Sequence, residues 1–154
     1  MQHSPLGESV MRTAHLLFLA LAISLPALAT NSGQLYKDPS CGCCGKWAAH
    51  MRANQLALQS QDRTDMAQLK DRLGVPANLH SCHTAQVGRY VIEGHVPAAM
   101  VQQILRDQPA IAGLAVAGMP QGSPGMETGV RESYQVIAFT RTGRQYVYAT
   151  VKGS

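Results

Sequence analysis

The chain has 154 residues, is 45% hydrophobic but only 14% charged, and carries a formal net charge of +4. That length and apolar share suit one compact domain able to bury a sizeable core. Its basic residues are dispersed, with no Lys or Arg run interleaved with aromatics, which argues against a nucleic-acid surface and against electrostatic steering to a membrane.

The first element is the apolar run Leu16–Ile23, preceded by Arg12 and followed by Ala27-Leu28-Ala29. This is the pattern of a secretory signal peptide, too short for a comfortable membrane span. Cleavage is expected after Ala29, dividing the chain into a leader, residues 1–29, and a mature domain, residues 30–154, that stays off the membrane. Met11 is a candidate start, because the stretch before it lacks a charged leader region. Gln34–Lys37 reads as a strand halted by the turn formers Asp38-Pro39-Ser40. Cys44 to Asn54 reads as a helix with Trp47, Ala48 and Met51 on one face. Leu56–Leu58 suggests a second strand, and Asp65–Leu73 a second helix, with Asp65 and Gln68 in capping-box spacing and Gly74-Val75-Pro76 as its stop.

After this β-α-β-α start comes a segment bearing His80, Cys82 and His83, then a strand over Gly88–Ile92. Pro97 is placed to open a helix whose apolar stripe includes Val101, Ile104 and Leu105 and which ends near Pro109. Leu114–Ala117 is a short apolar strand. It enters a Gly/Pro-rich loop, Gly118 to Glu127, long enough to suggest a function. Tyr134–Phe139 and Gln145–Val151, joined across Arg141–Arg144, read as a closing β-hairpin. The fold class is therefore α/β, a mixed sheet flanked by helices with a C-terminal hairpin.

Four cysteines, Cys41, Cys43, Cys44 and Cys82, lie in the mature part of an exported chain, where disulfides ordinarily form. Their spacing is poor for stapling: neighbours Cys43 and Cys44 cannot easily bridge each other, and three cysteines within four residues close no long loop. Cys41 and Cys44 form a C-x-x-C at a helix start, where the macrodipole and free N–H groups favour thiolate. Crowded thiolates need cations, and soft sulfur prefers copper(I) or zinc; the adjacent cysteines suit bridging of several ions better than one closed tetrahedral zinc site. Disulfides alone, or a disulfide from Cys82 to a cluster cysteine, remain the bland alternative. Cys82 with His80 and His83 could supply further ligands if the fold returns them to the helix start, whereas His95 reads as a surface or capping histidine. Met51, Met66 and Met100 fall at core spacings. Met119 and Met126, in the Gly/Pro loop, are candidate thioether ligands, and Trp47 is core or a lid.

Ser40-Cys-Gly-Cys-Cys-Gly-Lys-Trp47, Ser81-Cys-His-Thr84, Glu93-Gly-His-Val-Pro97 and Gly113 to Met126 with its G-M-P-Q-G-S-P-G-M string together resemble the CopG-like family of metal-binding, copper-resistance proteins. The resemblance spans nearly all of the mature chain. It implies a thioredoxin-like fold, a periplasmic location and a cysteine-bridged copper site tied to copper tolerance. It also implies copper ions, and other periplasmic copper-handling proteins, as partners. Carried over by position, Cys41, Cys43, Cys44 and Cys82 are the implied ligands, with His83 and Met126 as looser ones. Met119-Pro120 falls where thioredoxin-like folds place a proline, often cis, beside the active dithiol, so Met119 is expected to face the cluster. The rival reading is a thiol-disulfide oxidoreductase using Cys41 and Cys44, against which the surplus Cys43 argues, since a third adjacent thiol invites mispairing.

Overall fold

The computed structural model describes residues 31–153, together with Gln2; the leader and its expected cleavage site lie outside them. In chain order the elements are β1 (Asn31–Lys37), α1 (Gly42–Ala53), β2 (Leu56–Asp62), α2 (Met66–Arg72), a 3-10 turn (Ala77–Leu79), β3 (His83–Val87), β4 (Tyr90–Gly94), α3 (Ala98–Asp107), β5 (Gly113–Val116), β6 (Tyr134–Phe139) and β7 (Gln145–Val151). The seven strands form one sheet in the order β2-β1-β3-β4-β5-β6-β7. β1–β2 and β4–β5 pair parallel, each across a helical crossover, and the remaining pairs are antiparallel. This is the mixed α/β sheet that the alternation of elements predicts.

The sheet's period of two sorts the core onto its two faces. Leu35, Ala85, Val87, Tyr90, Ile92, Leu114 and Val116 join Trp47 and Met51 of α1 and Val101 and Ile104 of α3 in one cluster. Val91, Ala115 and Phe139, offset by one residue, join Val75 and Leu79 in a second cluster. α1 and α3 are tied directly: the His50 Nε2 atom accepts the Ala98 N–H at 3.1 Å, and Gln102 donates to the Asn54 carbonyl at 2.7 Å. The first of these satisfies a helix-start donor that has no partner within its own helix.

Three expectations need correcting. The segment from His83 to Val87, to which the sequence reading assigns no element, is strand β3, and the expected strand start at Gly88 is instead the turn joining β3 to β4. Asp65 stands at the N-cap of α2 but makes no side-chain cap. Its carboxylate is taken by Arg63 at 2.8 Å and Arg72 at 3.1 Å, whose guanidinium groups hold it well below the usual carboxylate range. β2 continues four residues beyond its apolar start as a polar edge, paired among the described residues only with β1. At the opposite edge β7 leaves Tyr146 and Val147 exposed.

Candidate metal centre

The chain turns from β1 into α1 through Asp38, whose side chain accepts the Ser40 N–H at 2.8 Å while its carbonyl accepts the Cys41 N–H at 3.0 Å. This Asx-type turn ends the strand and sets Cys41 at the helix N-cap in extended conformation. Cys44, one helical turn on and fully buried, is disulfide-bonded to Cys41 across a Cα separation of 5.5 Å. Cys43 and Cys82 are free thiols. The Cys43 sulfur lies 3.5 Å from that of Cys41. The fold also returns Cys82, which directly precedes β3, to this helix start: the sulfurs of Cys41, Cys43 and Cys82 all lie within 4.8 Å of one another. Four sulfurs from two segments thus meet at one junction, two of them joined in a bond.

Burial, with the Cys43 thiol alongside, pushes the Cys82 thiol up to about 11, against weaker opposing pulls from Ser81 and Lys70. The expectation that the helix start favours thiolate therefore does not extend to Cys82, which is a neutral thiol at physiological pH. It deprotonates when a cation takes the proton's place, so soft-metal binding here releases a proton.

His83, the next residue after Cys82, belongs to an imidazole pair. His83 is fully buried, its ring 4.5 Å from that of Trp47 and 5.0 Å, edge-on, from that of His95. His95 is buried as well, contrary to the sequence reading; its Nδ1 meets the Pro124 carbonyl at 2.9 Å, so that nitrogen carries the proton. Neither ring nitrogen of His83, nor Nε2 of His95, makes a hydrogen bond within the described residues. Leaving buried polar atoms unsatisfied is costly, on the order of 1–3 kcal/mol each, and each of these two neutral rings keeps one nitrogen lone pair available to a ligand. His80, by contrast, spends its Nε2 on the Val75 carbonyl at 3.2 Å. Trp47 is core, its indole N–H donating to the Val96 carbonyl at 2.9 Å.

Burial, then the neighbouring His95 and Lys70, depress His83 to about 3, with a weaker opposite pull from the Gly94 backbone. The consequence for stability has a definite sign. Above about pH 6.5 the ring is neutral whether the chain is folded or not. As the pH falls from there toward about 3, the unfolded chain takes up a proton that the folded chain refuses, so stability is lost across that window. Metal-free protein titrated with denaturant should weaken steadily between pH 6.5 and 3, and His83→Leu should flatten that part of the profile. An equally steep profile in the variant would place the acid sensitivity elsewhere.

The Gly/Pro loop is fastened at two points. Gly118 accepts the Ser81 hydroxyl at 2.6 Å. Gly125, at φ +88°, lies so close to α1 that a Cβ there would stand 2.9 Å from the Trp47 nitrogen and 3.0 Å from the Cys43 carbonyl. Only glycine combines that backbone with that approach. The chain neighbours of these two anchors are Met119, half exposed, and Met126, partly buried. Both methionines are thereby carried on backbone fastened beside the cysteine-bearing segments. The Met119–Pro120 peptide is trans, since the described residues hold no cis bond.

The family described as "Protein of unknown function, DUF411" matches residues 79–126, which carry Cys82, both buried histidines and most of the methionine loop. No curated protein matches. Among solved structures, the chain is similar to copper resistance protein copG in form 1, at 43% identity and TM-score 0.75, covering 79% of this chain and 98% of that one. Form 2 gives 42% identity and TM-score 0.74, with 78% and 97% covered. Identity at that level over nearly the whole of the compared protein decides the relationship: the chain belongs to the copG family of copper resistance proteins.

Proposed function

We propose that this chain is an exported, periplasmic copper(I)-binding protein of copper resistance. Cys41, Cys43, Cys44 and Cys82 serve as the thiolate ligands of a multinuclear site, and His83, Met119 and Met126 as further donors. The observation that carries this reading is the convergence of the Cys41, Cys43 and Cys82 sulfurs within 4.8 Å from two separate segments. A lone dithiol needs neither Cys43 nor Cys82 there, whereas a soft-metal site gains from each added sulfur. The unsatisfied, neutral His83 imidazole fits the same donor set, and so does His95. The copper resistance proteins to which the chain is similar favour copper over zinc as the cargo.

Bound copper is held as cargo, and the chain's residues supply the site. Cys41 and Cys44 become ligands once their disulfide takes up two electrons and two protons from an external dithiol, itself oxidised to a disulfide. The protons on the ligating thiols then leave as metal arrives. The Cys41–Cys44 disulfide at a helix start also favours a second reading, a thiol-disulfide oxidoreductase working through that pair.

The test is elemental analysis of protein recovered from the periplasm of cells grown with and without added copper, with thiols counted and the intact mass measured. Copper above one ion per chain after reduction, little copper while the disulfide persists, and a mature chain beginning near Thr30 are the expected results. Zinc in place of copper would overturn the cargo assignment. A mass retaining Leu16–Leu28 in the membrane fraction would overturn export by cleavage; among the described residues no helix is long and apolar enough to cross a membrane.

A further inference from the structure

On the sheet face opposite α1, a charged pair is buried beside an apolar cluster. Lys70 of α2 and Glu93 of β4 are 4% and 0% exposed, with Nζ 2.5 Å from Oε1. The neighbouring core residues on this face are Val75, Leu79, Val91, Ala115 and Phe139. A buried ion pair in such a setting is often replaceable by apolar residues at no cost in stability, so packing alone does not account for it.

Its bonds point to another role. Glu93 Oε1 also accepts the backbone N–H of Ser81 at 2.6 Å, and Oε2 accepts the Thr84 hydroxyl at 2.6 Å. Lys70 in turn donates to the Thr84 hydroxyl at 2.8 Å. One carboxylate therefore grips the chain on both sides of Cys82 and His83. Thr84 already faces Glu93 in the β3–β4 ladder, but Ser81 and Cys82 precede β3 and have no ladder partner. Gly94, at φ +68°, clears the way for this approach: a Cβ there would lie 2.6 Å from the Ser81 hydroxyl oxygen.

We propose that Lys70 and Glu93 are positioning residues for Cys82, the Glu93 carboxylate fixing the Ser81 N–H so that the next residue's sulfur is held against Cys41 and Cys43. Lys70 holds that carboxylate in place through its contacts with Oε1 and with the Thr84 hydroxyl. The proposal rests on the copper reading above and deepens it, because partners behind the ligands hold donor atoms in place before the metal arrives.

Two charge-neutral double variants isolate the acceptor. Lys70→Met/Glu93→Gln keeps an oxygen for the Ser81 N–H, whereas Lys70→Met/Glu93→Leu removes it. Copper(I) affinity by chelator competition, sulfur neighbours per copper by X-ray absorption, and denaturant midpoints are measured on the full mature chain. The Leu variant should bind copper about 10- to 100-fold more weakly, with fewer sulfur neighbours, at a midpoint no lower than that of the Gln variant. The Gln variant should keep the wild-type sulfur count.

Equal copper binding by the two folded variants, strong or weak, overturns the proposal. Should the Leu variant not fold, amide hydrogen exchange of the wild-type protein decides: Ser81 must be strongly protected, and exchange as free as that of surface amides overturns the anchoring. Wild-type protein that takes up no copper through sulfur sinks the copper reading instead, and the exchange measurement still judges the anchor.

Discussion

A Cys43→Ser variant is expected to lose copper affinity by at least about 100-fold while keeping its fold, the largest effect of any single substitution outside the disulfide. Exchange of a group that merely orients a ligand costs metal sites roughly 10- to 100-fold, and Cys43 is proposed above as a donor itself. The side chain is only partly buried, and its sulfur neighbours Cys41 at 3.5 Å. Serine therefore leaves no sizeable cavity, and its harder oxygen is a poor substitute for soft sulfur toward copper(I). The Cys41–Cys44 pair is untouched by the change, so disulfide exchange, read by insulin reduction, should be weak before and after. Full copper loading in the variant together with vigorous insulin reduction would transfer the function to the oxidoreductase reading.

Cys82→Ser should come close behind, with lowered copper content and fewer sulfur neighbours per copper but normal export and folding. Three sulfurs on one helical turn cannot enclose several ions, and in the proposed site the far side is closed by Cys82, whose sulfur lies within 4.8 Å of those of Cys41 and Cys43. Because Cys82 is a neutral thiol at physiological pH, its removal should also lower by about one the protons released on copper loading, a quantity calorimetry in buffers of different ionisation enthalpy reads directly. Unchanged sulfur coordination and proton release would confine the site to the first three cysteines.

The parts of this molecule legible in its sequence are those where one local rule decides. The strand, Asp-Pro-Ser turn and helix around Cys41–Cys44 follow from turn chemistry and helical spacing, and the final hairpin from β-rich runs around a short turn. β3 was not legible, because His83-Thr-Ala-Gln-Val87 is buried at four of its five positions and lacks apolar alternation. Its polar members Thr84 and Gln86 are satisfied by Glu93 and Tyr36, and His83 packs against Trp47 and His95, tertiary partners that no local window contains. The same holds for Lys70 and Glu93, charges that a sequence assigns to solvent, and for His95, whose burial depends on the loop carrying Pro124. At the site, the cysteine identities were visible, while the convergence of Cys82 with them is a property of the sheet order, which sets β3 beside β1.

That sheet order has a further result at its rim. β2 ends the sheet with Gln59, Ser60, Gln61 and Asp62, a hydrated and partly charged border. β7 ends it with Tyr146 and Val147 exposed and, among the described residues, no further strand paired to its outer backbone edge. Self-association by strand addition is favoured where a border is apolar and lacks charge, and here Arg144 and Lys152 flank the strand instead of interrupting it. Concentrated preparations will therefore clump through this one border first, and Val147→Lys is the change that would keep the protein dispersed without approaching the cysteine-bearing end.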